Sequence, residues 1–412
     1  TIMQNDTPVQ SSKAKRPLVS VVIPSRNRAA LLAEALTSVF AQEGRGDVFD
    51  MEVIVIDDAS SDTTPDVARR FPEVRYLRFD TNQGASGARN AGITASKGKY
   101  IAFLDDDDLW FPHRLMAHVP IIEAHPEVGV LYGQVKITGE TTHLDAWPES
   151  APSGRVFEDF VTRTDDFMHP DAMLVRREVF DKAGLFDVNF GGMEHYEMIL
   201  RLAFHAQFLF VEGPVGVGRY SNNGLWCTTI VNGQNERQLP LIIEKSLALL
   251  PDTPENGPVK RRARVAVCST IAGQRWWVGG GAPAVREYLL EMFRKSPWMA
   301  AAPEIWHHVR RVVRTLACTA PDPIGAVEAF WKDVSGALTP GPFPPQYTVG
   351  NFLAEAAVGL REDGALPVKA GQVAVRVMLR HPEQIKAKLG GVVANAVLVA
   401  AGRAAGCVWG RA

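Results

Sequence analysis

A chain of 412 residues, 46% of them hydrophobic, can bury large cores and suits two domains better than one. Its formal net charge of -2 gives no reason to expect nucleic-acid binding. The four cysteines (Cys227, Cys268, Cys318, Cys407) lie too far apart for a zinc knuckle or a dense disulfide framework, so a reducing cytoplasm is the expected setting.

Residues 1–16 are polar, lack the apolar stretch of a secretion signal and read as a disordered leader. Runs of β-branched or aromatic residues at 19–23, 52–57, 74–79 and 100–104 are too short for helices and read as buried strands. Between the first two, Leu31, Leu32, Ala35, Leu36, Val39 and Phe40 recur at helical spacing, and 65–71 reads as a short helix entered through Thr63 or Thr64. Alternating strand and helix predicts an α/β domain with a mainly parallel sheet, whose ligands sit beyond the carboxyl ends of the strands. Strand-like runs at 128–132, 172–176 and 208–212, a polar stretch at 138–154 and a helix near 194–205 complete a domain spanning 17–235. Beyond it, helical patterns at 239–250, 261–277 and 283–293 predict a mostly helical C-terminal region, 236–412. A Pro-rich linker is expected near 338–347. The apolar run 390–401 is too short to span a bilayer unaided and reads as a packed helix or a peripheral membrane contact.

Polar residues gather after three of the strands: 24–28, 57–62, and the aspartates Asp105, Asp106, Asp107 and Asp108. A lone Asp-rich turn is ordinarily a solvated loop or helix cap; three on one rim point to a site. Four consecutive aspartates repel one another close to a core. A divalent cation relieves that repulsion, and hard carboxylate oxygens suit Mg2+ or Mn2+. Such ions complete their shell with substrate phosphates, so one or two aspartates suffice for a diphosphate ligand.

The ordered series Val-Ser-Val-Val-Ile-Pro-Ser-Arg-Asn-Arg, Val-Ile-Asp-Asp-Ala-Ser-Ser-Asp, Asn82-Gln83-Gly84-Ala85-Ser86-Gly87-Ala88-Arg89-Asn90 and Phe103-Leu104-Asp105-Asp106-Asp107-Asp108-Leu109-Trp110 resembles family 2 glycosyltransferases, over residues 18 to about 220. The resemblance implies the glycosyltransferase A fold and an inverting transfer from a nucleotide-diphosphate sugar donor, a UDP-sugar being one candidate, to a saccharide or lipid-linked saccharide hydroxyl. It puts Pro24 and Arg26 beside the base and ribose, Asp58 on the base with Asp57 supporting its turn, Asp105 or Asp106 on the ribose and Asp107 on the metal. Arg89 lies near the nucleotide or serves as a structural ion-pair partner, with Asn90 bracing its loop. Arg219 contacts the diphosphate or lies plainly on the surface; the histidine that many relatives place shortly after it is missing.

The family's acidic base segment corresponds to Gly192-Met193-Glu194-His195-Tyr196-Glu197, with His195 in place of an aspartate. His195 and Glu194 are alternative bases, and Glu197 is an orienting group for the base or acceptor. His169-Pro170-Asp171 reads chiefly as a turn, and otherwise faces the acceptor. Trp110 and Trp226 stack on a sugar, close a lid or pack. The altered base segment keeps open a catalytically weak or inactive nucleotide-sugar-binding partner protein. Homo-oligomer contact and peripheral membrane contact are open roles for the C-terminal region.

Overall fold

The computed structural model describes residues 16–337 apart from 140–142, 165–167, 222–223, 277, 279–280, 303, 306–307, 310–311, 313–314 and 317–322. The expected leader, the Pro-rich linker, the apolar run at 390–401 and the Trp226 side chain therefore lie outside the described residues.

Strands β1 (Leu18–Ser25), β2 (Asp50–Asp57), β3 (Val74–Arg78) and β4 (Tyr100–Phe103) alternate with helices α1 (Ala29–Phe40), α2 (Thr64–Arg69) and α3 (Gly84–Ala95). β1 lies between β2 and β4 and pairs with both in parallel, while β3 pairs outside β2. The chain thus reverses direction across the sheet at β1 and β4, where crevices form beyond the strand ends. Register places Ser25 beside Asp57 and Val22 beside Phe103, so the polar turns after β1, β2 and β4 reach one edge.

Both faces of this sheet are covered, which explains the continuous apolar strand runs. On one face Val19, Val21 and Ile23 pack with Leu32, Leu36 and Val39 of α1. On the other, Ile54 and Ile56 meet Ala88 of α3. Gly92 lets α3 close down, since a Cβ there would stand 2.2 Å from Val22 Cγ1.

The sheet continues through β5 (Leu109–Trp110), β6 (Val128–Gly139), β7 (His143–Trp147), β8 (Leu174–Arg176) and β9 (Gln207–Tyr220), in the order β3-β2-β1-β4-β8-β6-β9-β5 with β7 on β6. β8 is antiparallel to both its neighbours, whereas β6 and β9 run parallel, so the sheet is largely parallel as expected. Helices α4 (Arg114–Ala124), α5 (Phe157–Val161), α6 (Arg177–Ala183), α7 (Glu194–His205), α8 (Leu225–Val231) and α9 (Gln234–Leu247) complete this part.

Several elements differ from the sequence expectation for local reasons. The expected strand 172–176 begins only at Leu174, because Pro170 opens a 3-10 turn, Pro170–Ala172. The run at 208–212 extends to Tyr220 because β9 follows β6 through several register shifts. The polar stretch 138–154 holds β7, whose pairing with β6 its composition does not reveal. α3 is rich in Gly, Ala and polar residues and α4 contains Pro120, so neither has a clear apolar period.

The chain divides into two compact units, the first ending at Val259 and the second beginning at Lys260. α8 and α9 thus belong to the first unit, beyond the point near 235 where strand signals fade. Lys245 on α9 meets Glu197 at 2.8 Å and Asp187 at 2.5 Å. The second unit contains helical segments including Gly281–Lys295 and Pro323–Ala337, packed around Val285, Leu289, Phe293, Ile305, Phe330 and Val334. No helix among the described residues is long and apolar enough to cross a membrane.

Candidate active site

The turn after β2 is tied from several sides. Asp57 is fully buried; its carboxylate accepts from the Ser60 amide at 2.8 Å, from Arg78 at 3.0 Å and from the Tyr76 hydroxyl. Ala59 sits at φ 59°, a left-handed conformation unfavourable for a residue with a Cβ, and these bonds hold the turn around it. Asp58 turns both oxygens to the start of α3, accepting from the Gln83 amide at 2.6 Å and the Gly84 amide at 2.9 Å. It therefore fixes the helix that carries Arg89, in favourable interaction with the helix dipole.

The turn after β1 meets the acidic run directly. Ser25 donates to Asp106 Oδ2 at 2.6 Å, and Arg28 donates to Asp106 at 2.9 Å and to Asp107 at 2.7 Å. Burial raises Asp106 to about 6 despite these partners. Burial, with repulsion from Asp108 and Asp105, likewise raises Asp107 to about 6. Asp108 is raised by burial too, and Asp171 is held well above the carboxylate range by burial and by Asp105 and Asp108. The cluster is short of positive charge, and its donors are hard oxygens, so it fits a divalent cation. Asp107 is the most open of the four, with 31% of its side chain exposed, and could share such an ion with a diphosphate.

Asp105 differs from its neighbours because Arg89 reaches it at 2.5 Å. Burial works against its charge, but the guanidinium outweighs that effect and holds Asp105 at about 2. The same guanidinium reaches Glu194 at 3.0 Å and lies over the Phe186 ring at 5.7 Å. Phe186 is in turn fixed by Asn90, which exchanges two 2.8 Å hydrogen bonds with its backbone. Arg89 therefore bridges the acidic run after β4 and the start of α7.

Glu194 is almost wholly buried and keeps Oε2 without a hydrogen-bond partner. Burial opposes its charge, yet His195 and Arg89 outweigh burial and bring its ionisation below the usual range. Its Oε1 lies 3.8 Å from His195 Nδ1. Burial and Arg89 lower His195 to about 4, so the imidazole is neutral at pH 7, and Nε2 is buried without a partner. Of the two, His195 is the more accessible, at 26% against 3% of the side chain.

The surroundings of the remaining expected site residues vary. Arg219 donates its backbone amide to Asp108 at 2.7 Å, while its guanidinium pairs with Glu34 on α1. Pro24 pairs beside Ile56, one residue before the paired part of β1 ends at Ser25, and Arg26 is exposed with no ion pair among the described residues. Glu197 turns to Arg201 and Lys245 rather than toward His195, so the expected orienting group is part of the packing of α7. Trp110 is buried beneath the site, with Arg114 stacked 4.3 Å from its ring, and offers no face to a sugar.

Three participants were undervalued by sequence reading. Arg28 lay within the first polar turn but carried no assigned role. His169 and Asp171 read chiefly as turn residues, yet the fold brings both against Asp108. A His-Pro-Asp turn just before a strand was their only sequence signal, because the contact spans more than sixty positions.

Comparison with known proteins finds similarity in the N-terminal part of the chain. Residues 20–184 match the sequence profile of Glycosyl transferase family 2. An uncharacterised glycosyltransferase of Nostoc sp. is 33% identical over 174 residues, covering 40% of this chain and 52% of that protein. The succinoglycan biosynthesis protein ExoO of Rhizobium meliloti is 44% identical over 103 residues, covering 24% of this chain and 28% of ExoO. The match thus spans about half the length of the first relative and less of the second. A solved mannosyltransferase from Pyrobaculum calidifontis, in complex with GDP-Man and Mn2+, overlaps with a TM-score of 0.48 at 20% identity, covering 79% of this chain and 88% of that one. The likeness to glycosyl transferase family 2 is carried by residues 20–184 and the ordered motifs along them.

Proposed function

We propose that this protein transfers a sugar, with inversion, from a nucleoside-diphosphate donor to a saccharide or lipid-linked saccharide hydroxyl. The observation that carries this reading is the Arg89 bridge, which holds the acidic run and the Glu194–His195 pair in one constellation. The donor's nucleotide would lie along the rim formed by Pro24, Arg26 and the Asp57–Asp58 turn, with its ribose toward Asp105 or Asp106. Asp107 would hold a divalent cation, which when bound neutralises the charge developing on the leaving diphosphate. The description of ExoO, succinoglycan biosynthesis, supports a saccharide acceptor.

His195 is the proposed general base. As the acceptor oxygen bonds to the anomeric carbon, its proton passes to the His195 imidazole and the bond to the diphosphate breaks on the opposite face. The imidazolium so formed has Glu194 beside Nδ1, and Arg89 keeps that carboxylate ionised. Glu194 is a positioning residue in this scheme.

Calorimetry with a nucleoside diphosphate provides the test. Binding should tighten with Mn2+ or Mg2+ and lose that enhancement in Asp107→Ala; metal-independent, unchanged binding would overturn the metal assignment. Donor binding without transfer or hydrolysis across a donor and acceptor panel would make the protein a binding partner instead.

A further inference from the structure

We infer that Asp108, His169 and Asp171 form an inner cation site, distinct from Asp107, which selects a first-row transition ion such as Mn2+ over Mg2+. It rests on the reading of the acidic run as cation-binding, but not on sugar transfer.

Each carboxylate commits one oxygen to the fold and leaves the other facing the imidazole. Asp108 Oδ1 accepts from the Arg219 amide at 2.7 Å, and Asp171 Oδ1 accepts from the Asp105 amide at 3.1 Å. Their Oδ2 atoms lie 3.6 Å from His169 Nε2 and 3.9 Å from His169 Nδ1, respectively. Those separations are too long for hydrogen bonds. Asp171 is 3% exposed; His169 Nδ1 is buried without a hydrogen-bond partner, and so is Asp171 Oδ2 whenever that carboxyl is ionised rather than protonated and bonded to Asp108. Leaving such atoms unmatched is costly unless something else occupies the space between them. One donor atom from each residue lies within 4.8 Å of the others. Two ligands bound at about 2.1 Å to one ion stand roughly 3–4 Å apart, so only small side-chain adjustments are required.

The turn delivering these groups is anchored from behind. The Asp171 carbonyl accepts from Trp110 Nε1 at 3.1 Å and from Arg114 Nε and Nη2 at 3.3 and 3.1 Å. Arg114 Nη2 also donates to the Met173 carbonyl at 2.6 Å, spanning the turn. Gly218 on β9 makes space for the ring: a Cβ there would stand 3.0 Å from His169 Nε2. One imidazole among carboxylates shifts preference from Mg2+ toward softer first-row ions.

The test uses the full chain and metal alone, without nucleotide. Mn2+ titration, followed by electron spin echo spectroscopy, should show 14N modulation from one directly bound imidazole. His169→Gln should abolish that modulation and weaken inner-site Mn2+ binding at least tenfold. Asp171→Asn, which retains an acceptor for the Asp105 amide, should also weaken binding, whereas Asp107→Ala should leave the nitrogen signal intact. Circular dichroism identifies any variant that fails to fold, and the wild-type spectrum alone still decides whether an imidazole is bound. Bound Mn2+ without 14N modulation, or a signal surviving in His169→Gln, would overturn the inner site. In either case, metal-enhanced nucleoside diphosphate binding lost in Asp107→Ala would leave the proposed transferase function standing; loss of both behaviours would count against both.

Discussion

Replacing Arg89 by methionine keeps much of the side chain's length and removes the charge shared by Asp105 and Glu194. In the folded protein Arg89 is 2% exposed, with its partners at 2.5 and 3.0 Å, so no water can substitute fully for the guanidinium. Breaking a buried pair in this way leaves uncompensated charge and costs about 3–5 kcal/mol. In the native protein Asp105 is depressed to about 2, so its contribution is present above its ordinary pKa and is lost as pH falls through about 2. Without Arg89, burial raises both carboxyls, and the variant should instead recover stability as acid protonates them. Amide exchange in α3 and β4, measured by mass spectrometry at pH 7 and pH 5 with correction for the intrinsic exchange rate, reports this unit without requiring the whole chain to unfold together. Adding Glu194→Gln to Arg89→Met should restore part of the loss. A cost below about 1 kcal/mol, or the same cost with and without Glu194→Gln, would refute the bridge as an energetic link.

Gly92→Ala should destabilise the first unit by about 1–3 kcal/mol, since its Cβ would overlap Val22; an unchanged melting temperature would show that α3 is less tightly seated. His195, lowered to about 4, binds a proton in the unfolded chain before it does so in the folded one. Stability should therefore rise with pH between about 4 and 6.5, with a contribution on the order of 3 kcal/mol that His195→Gln removes; urea titrations at several pH values would detect a slope that persists in the variant. In a transfer assay His195→Gln should lower kcat by about 10²–10⁴-fold with donor affinity nearly unchanged, and wild-type turnover would exclude it as base.

The first sheet was legible because β1, β2 and β4 are buried on both faces and ended by polar turns, a pattern that survives any detail of packing. Helix α7 was equally clear, since Met198, Ile199, Leu202 and Ala203 recur at helical spacing. α3 was hidden because close packing against Val22 demands small residues, which erase the apolar stripe. For the site, sequence order could place Asp105 to Asp108 on a rim but could not apportion charge within it. That depends on Arg89 crossing to Glu194 and on His169 and Asp171 arriving from a turn in front of β8. Asp58 illustrates the same limit: adjacency to Asp57 gives no hint that its oxygens are turned to α3.

The most direct measurement is release of nucleoside diphosphate from a panel of nucleotide sugars, with product mass determined in the presence of saccharide acceptors and Mn2+. Transfer of one sugar unit, with opposite anomeric configuration in donor and product, and its loss in Asp107→Ala and His195→Gln, is the predicted result. Retention of configuration, or saturable donor binding with neither transfer nor hydrolysis for any donor, would contradict it.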